Sequence, residues 1–259
     1  MGTPMRTLLA SACAGLASIA LSVQANAAEF FVSSAVSDSL HAGNHNHAIW
    51  LPFFESIPGT PLNGNSEGSD FDFSPDGLFT TTAGSATMIG NIISQVNANY
   101  GFRFSADFTK LGGPGSGGPK KELKSTAYAP GGPIDPSTWE YYRMTGGSLI
   151  GTGMFEGINF SLSERPINNQ FPLQVGEGAN NKNGNFGGSA WFFATLLSPQ
   201  CQTQSCEEIW KNIAGYARQN SLVGDINVDL VETPLPAGVL LFGTGLAGLA
   251  SLRRRRKQA

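Results

Sequence analysis

The 259 residues include only 14% charged side chains but 33 glycines and 17 phenylalanines, so solubility must come from Asn, Ser, Thr and Gln, as in extracellular β proteins. Five of the sixteen basic residues stand together at Arg253, Arg254, Arg255, Arg256 and Lys257, and a sixth is Arg6. Residues 28–233 then set ten basic side chains against nineteen acidic ones, a formal charge of −9, which repels phosphate backbones and excludes nucleic acid as a partner.

The chain opens on Arg6 and the apolar run Leu8–Val23, followed by Ala25-Asn26-Ala27. Ala25 and Ala27 fit the small-residue positions of a signal-peptidase site, so residues 1–27 read as a secretion signal cut after Ala27. Ala10-Ser11-Ala12 before Cys13 offers a lipoprotein alternative, but a cut there leaves most of the apolar run on the mature chain.

Residues 28–233 read as one exported domain. Short apolar and aromatic runs punctuated by Gly, Asn, Pro and Ser predict strands near 29–33, 47–54, 77–82, 86–94, 100–108, 139–145, 157–163, 172–175, 188–197 and 222–231. Phe102, Phe104, Ala106 and Phe108 alternate with Arg103, Ser105 and Asp107, the period of a half-buried strand. Ile226, Val228 and Leu230 alternate in the same way with Asn227, Asp229 and Val231. About ten strands without alternating helices predict an all-β fold, a two-sheet, jelly-roll-like β-sandwich with one short helix. That helix is expected over 206–219, with Ile209, Trp210, Ile213 and Tyr216 or Ala217 on one face. The Gly- and Pro-rich stretch 112–119 predicts a loop or subdomain boundary. Cys201 and Cys206 predict a local disulfide at the helix start, since a metal would need two further soft ligands nearby.

Candidate chemistry is sparse. His41, His45 and His47 lie within seven residues, and in an extended segment His45 and His47 share a face that could hold Zn²⁺ or Cu²⁺; the same spacing also suits a polar loop. Glu67, Asp70, Asp72 and Asp76 supply oxygen ligands of the kind Ca²⁺ takes, but Pro75 and Thr81 break the loop pattern. Glu140, Glu156, Glu164 and Glu177 could supply a glycosidase pair only at a separation the sequence does not reveal. Trp50, Trp139, Tyr141, Tyr142, Trp191 and Phe193 would stack on sugars if exposed, with burial the default. Tyr141 and Tyr142 point to opposite sides of a regular strand. No nucleophile-elbow, zinc-protease or phosphate-loop motif is present, and no cofactor, resident metal or enzymatic activity is expected.

The end of the chain places Pro234-Leu235-Pro236-Ala237 before sixteen uncharged, mostly apolar residues, 237–252, and then the cluster Arg253–Lys257. The prolines hold the segment extended. As a helix, the apolar run is roughly 24 Å long at ~1.5 Å per residue, slightly short of a ~30 Å bilayer core, and the basic cluster sets a cytoplasmic end. Gly243, Gly245 and Gly248 match a dinucleotide fingerprint without its strand or acidic residue. This order, residues 234–259, resembles a PEP-CTERM sorting signal of the VPLPA variety, with Leu235 in place of the main family's Glu and Thr233 in place of the subgroup's Val. The stretch 151–196 is also similar to the β-rich ectodomains that precede such tails. The resemblance implies a bacterial surface protein anchored in the membrane by its C-terminal helix and processed by an exosortase-type transpeptidase. The implied role is that of a non-enzymatic envelope or extracellular-matrix component. The alternative is a carbohydrate-binding or glycan-degrading module carried by the same tail, with extracellular polysaccharide as partner.

Overall fold

The computed structural model describes residues 28–34, 47–64, 66–112, 139–165, 172–179 and 185–233. In chain order the strands are β1 (Ala28–Ser34), β2 (Ile49–Trp50), β3 (Asp70–Phe73), β4 (Leu78–Thr81), β5 (Ser85–Ser94) and β6 (Tyr100–Gly112). They continue as β7 (Glu140–Gly153), β8 (Asn159–Glu164), β9 (Leu173–Glu177), β10 (Phe186–Leu196) and β11 (Val223–Glu232), and α1 (Gln204–Ala217) lies between the last two.

All pairings are antiparallel, and three pairs of strands each share one position in the sheet. β11 pairs with β1 at Val228–Glu232 and with β2 at Asp225–Ile226. β5 pairs with β4 and then with β3, and β10 pairs with β8 at one end and β9 at the other. Counting each shared position once, the hydrogen bonds run through eight positions, β1/β2, β3/β4, β5, β6, β7, β8/β9, β10 and β11, and return to β1/β2. The all-β expectation with one short helix holds. The layers are joined into one closed sheet because the first and last strands pair, and the connectivity is an up-and-down meander instead of a jelly-roll winding because neighbouring positions are filled in chain order.

Closure leaves an interior that side chains fill. The alternation expected in β6 is realised: Phe102, Phe104, Ala106 and Phe108 are buried while Arg103 and Asp107 are exposed. The expected strand over 47–54 shrinks to Ile49–Trp50, because Pro52 has no N–H to donate and the chain turns into a 3-10 segment, Pro52–Ser56. That turn drives Phe53 and Phe54 into one end of the barrel. There Phe54 packs on Phe155, Phe71 and Phe102 at ring-centroid distances of 4.9, 5.9 and 6.0 Å. Phe155 arrives from the tight turn between β7 and β8, which brings its carbonyl oxygen to 1.9 Å from where a Cβ on Gly151 would stand, so only glycine fits.

Helix α1 closes the same end. The hydroxyl of Thr203 caps it by accepting from the Cys206 amide at 3.2 Å, and its buried residues, Cys206, Ile209 and Ile213, form the expected face. Cys201 and Cys206 are joined as a disulfide with Cα atoms 5.5 Å apart. No helix among the described residues is long and apolar enough to cross a membrane. The expected leader with Ala25 and Ala27, the motif Pro234, Leu235, Pro236 and Ala237, the apolar run 237–252 and the cluster Arg253–Lys257 lie outside the described residues, as do His41 and His45.

Candidate functional site

Side chains pointing out of β11 should alternate into solvent, yet Asp225 and Asn227 are buried on the outer side of the barrel. They are covered where the β1/β2 position is interrupted: the chain returns at His47 and joins β11 through Ala48, whose carbonyl accepts from the Asn227 amide at 2.8 Å. The imidazole then lies between two carboxylates. Its Nε2 is 3.2 Å from Asp225 Oδ1 and its Nδ1 is 3.4 Å from Asp70 Oδ1. His47 is 2% exposed, Asp70 0% and Asp225 6%.

Strand register builds a row around this group. Asp70 is the Cα partner of Trp50, Trp50 of Asp225, and Asp225 of Trp191. Trp50 stacks on His47 at 6.2 Å and meets Trp191 edge-on at 6.4 Å, and the Arg165 guanidinium lies 5.0 Å over the Trp191 ring. Trp50 Nε1 donates to Ser69 Oγ at 2.9 Å, and Ser69 donates onward to Glu55 Oε1 at 2.8 Å. A second row, Tyr141–Gln174–Ser189–Asn227, runs beside the first. Gln174 and Asn227 are buried there as well.

Histidine, serine and carboxylates together invite a catalytic reading, but the geometry favours a clamp. The Ser69 hydroxyl is committed to Glu55 and Trp50, and His47, Asp70 and Ser69 are sealed from solvent, whereas a nucleophile and its base must reach a substrate. The arrangement ties β2, β3 and β11 together where the β1/β2 strand is interrupted.

The other sequence-derived candidates are dispersed. Among the described residues no three His, Cys, Asp or Glu side chains converge on a metal position. Of the expected acidic cluster, Asp70 faces His47, Asp72 accepts from Ser34 and Gln95, and Asp76 accepts from Asn91. Glu164 is paired with Arg143 at 3.1 Å, and Glu140 is bonded by Lys110 and by the Tyr142 hydroxyl. Burial by itself would raise the Glu140 pKa, but the bonds from Lys110 and Tyr142 and the Lys110 charge outweigh it and hold the carboxyl below its usual value. Burial first, and then the Glu140 bond, push the Tyr142 hydroxyl well above the ordinary phenol value. Of the aromatic candidates, Trp139 and Tyr142 are core residues, while Trp50, Tyr141, Trp191 and Phe193 are half-buried. The Asp70–His47–Asp225 bridge was not legible in the sequence, since His47 is 23 residues from Asp70 and 178 from Asp225.

Residues 29–233 match the family described as SP85-like N-terminal domain, and the chain belongs to that family. It is 38% identical over 137 residues to the spore coat protein SP85 of Dictyostelium discoideum, an alignment covering 51% of this chain and 25% of that protein. A second, uncharacterized Dictyostelium discoideum protein is 35% identical over 99 residues, covering 38% of this chain and 20% of the relative. The chain thus spans a quarter or less of the curated relatives it matches. No solved structure matches it. The family and its Dictyostelium relatives correct the expectation of a bacterial PEP-CTERM protein. With that expectation fall the exosortase-type partner, the membrane-anchored precursor and the envelope role drawn from the tail.

Proposed function

We propose that this member of the SP85-like N-terminal domain family is a non-enzymatic structural component of an extracellular coat, of the kind named in its spore-coat relative. The observation that carries the reading is the 38% identity to a spore coat protein, within a family match that spans residues 29–233. Three features of the chain support it. The Cys201–Cys206 disulfide suits an oxidising, extracellular compartment. The expected signal-peptidase site at Ala25-Asn26-Ala27 suits secretion. The groups best able to do chemistry, His47, Asp70 and Ser69, are buried in a clamp. In this reading the closed sheet is flattened into two facing layers, as in a sandwich, around the aromatic core of Phe54, Phe102 and Phe155.

The test is fractionation of producing cells, combined with labelling of intact cells by an antibody against the folded domain. Recovery in the detergent-insoluble surface layer, with label on unpermeabilised cells, supports the proposal. Confinement to the soluble intracellular fraction refutes it.

A further inference from the structure

Towards the other end of β11 from the Asp225 cluster, one outward row of side chains is apolar and largely exposed. Val231 of β11 is the Cα partner of Phe31 of β1, Phe31 of Leu78 of β4, and Leu78 of Ile89 of β5. Directly paired residues share a face, so these four side chains form a row across four adjacent strands, roughly 15 Å long at ~4.8 Å per strand. Val231 is 58% exposed, Ile89 47% and Phe31 45%.

Charge frames this row on both sides. One residue row away, Glu29 and Asp107 stand at the ends of a line through Thr80 and Thr87. On the other side Asp229 pairs with Ser33, and Asp76 holds the side chain of Asn91, whose strand partner is Arg103. The frame is four carboxylates against one guanidinium. A second copy of the chain would bring the same acidic frame, which opposes self-association. Because the sheet is closed, the pairing sites that an added strand would use are already taken, and contact must be made by side chains on a face.

We propose that the β11–β1–β4–β5 face is a docking surface for a polypeptide segment of another protein, with an apolar centre flanked by Lys or Arg. The apolar centre covers Phe31, Leu78 and Ile89, and the cations meet the carboxylates on the two rims. The inference does not depend on the coat reading, since it rests on register, exposure and charge alone.

The experiment is fluorescence anisotropy of the full chain with a labelled synthetic peptide that has a Leu/Val centre and Lys triplets at both ends. The controls are a peptide with Glu triplets and one with a Ser centre. Phe31→Ser combined with Ile89→Ser should weaken binding by about tenfold or more. Glu29→Gln with Asp107→Asn should weaken it several-fold, as should raising the salt from about 0.05 to 0.5 M. Circular dichroism establishes that each variant is folded, and Phe31→Thr with Ile89→Thr gives the same readout if the Ser pair is not. Equal binding of the Glu-ended peptide, or wild-type affinity in both apolar-row variants, would overturn the proposal. So would sedimentation showing a self-association that those variants abolish, because the face would then cover a second copy.

Discussion

Two walls of one barrel handle their outward side chains in opposite ways. Over β2, β11 and β10 polar outward residues are buried: Asp225 beside His47 and the half-buried tryptophan pair, and Asn227 in the neighbouring row with Gln174. Towards the other end of β11, across β1, β4 and β5, one outward row is apolar and largely exposed, as at Val231, Phe31 and Ile89. β11 belongs to both walls, so the contrast arises within one strand, from Asp225 at its start to Val231 near its end. A polar group buried outside a core has to be satisfied by its own chain, whereas an exposed apolar row costs little in the free protein and yields binding energy only when covered. The first wall therefore stabilises the fold, and the second is available to a partner.

The largest expected effect breaks the sealed wall. His47→Ala removes the bridge between Asp70 and Asp225 and leaves two buried carboxylates without their common partner. Loss of one member of a buried pair costs about 3–5 kcal/mol, and a fall in Tm of roughly 10 °C should appear in calorimetry. A change of a degree or two would show that the carboxylates have other support.

Next comes a group outside both walls, which tests whether pH sensitivity lies elsewhere. Glu140 has its carboxyl pKa held below the ordinary value in the folded state. Its contribution is therefore fully present above about pH 4.3, the unfolded value, and disappears as pH falls through the folded one. Glu140→Gln should lower stability at neutral pH, and its deficit against the wild type should close in acid, as read from denaturant midpoints across pH 2–7. The side chain is about a third exposed, so the effect should be modest.

The smallest effect belongs to the bare wall. Phe31→Ser touches an exposed side chain and should change stability by no more than about 0.5 kcal/mol, while weakening capture of the basic-apolar peptide. A large loss of stability would mean that Phe31 is part of the core and would remove the contrast between the walls.

Several elements were legible in the sequence because local chemistry settles them. The alternation of Phe102, Phe104, Ala106 and Phe108 specifies a half-buried strand whatever it pairs with, and Ile209 and Ile213 specify the inner face of α1. The close spacing of Cys201 and Cys206 was enough to anticipate their disulfide. Strand β3 went unseen because Asp70 and Asp72 read as a solvated acidic segment, and aspartate is depleted in strands. It is a strand because Phe71 faces the core while Asp70 turns to His47. His47 was legible as a functional-looking residue but was grouped with His41 and His45; its partners are fixed by the pairing of β2 with β3 and β11.

The sequence by itself thus determined an all-β chain with one helix, its inward faces, its acidic balance and its disulfide, since each depends on residue type and short-range period. Tertiary structure alone decided that the sheet closes, that the polar outward residues of one wall are buried, and that Val231, Phe31, Leu78 and Ile89 stand in a row. These depend on register between strands as much as two hundred residues apart, where Phe30 meets Glu232, and a slip of one residue would turn every one of those side chains to the opposite face.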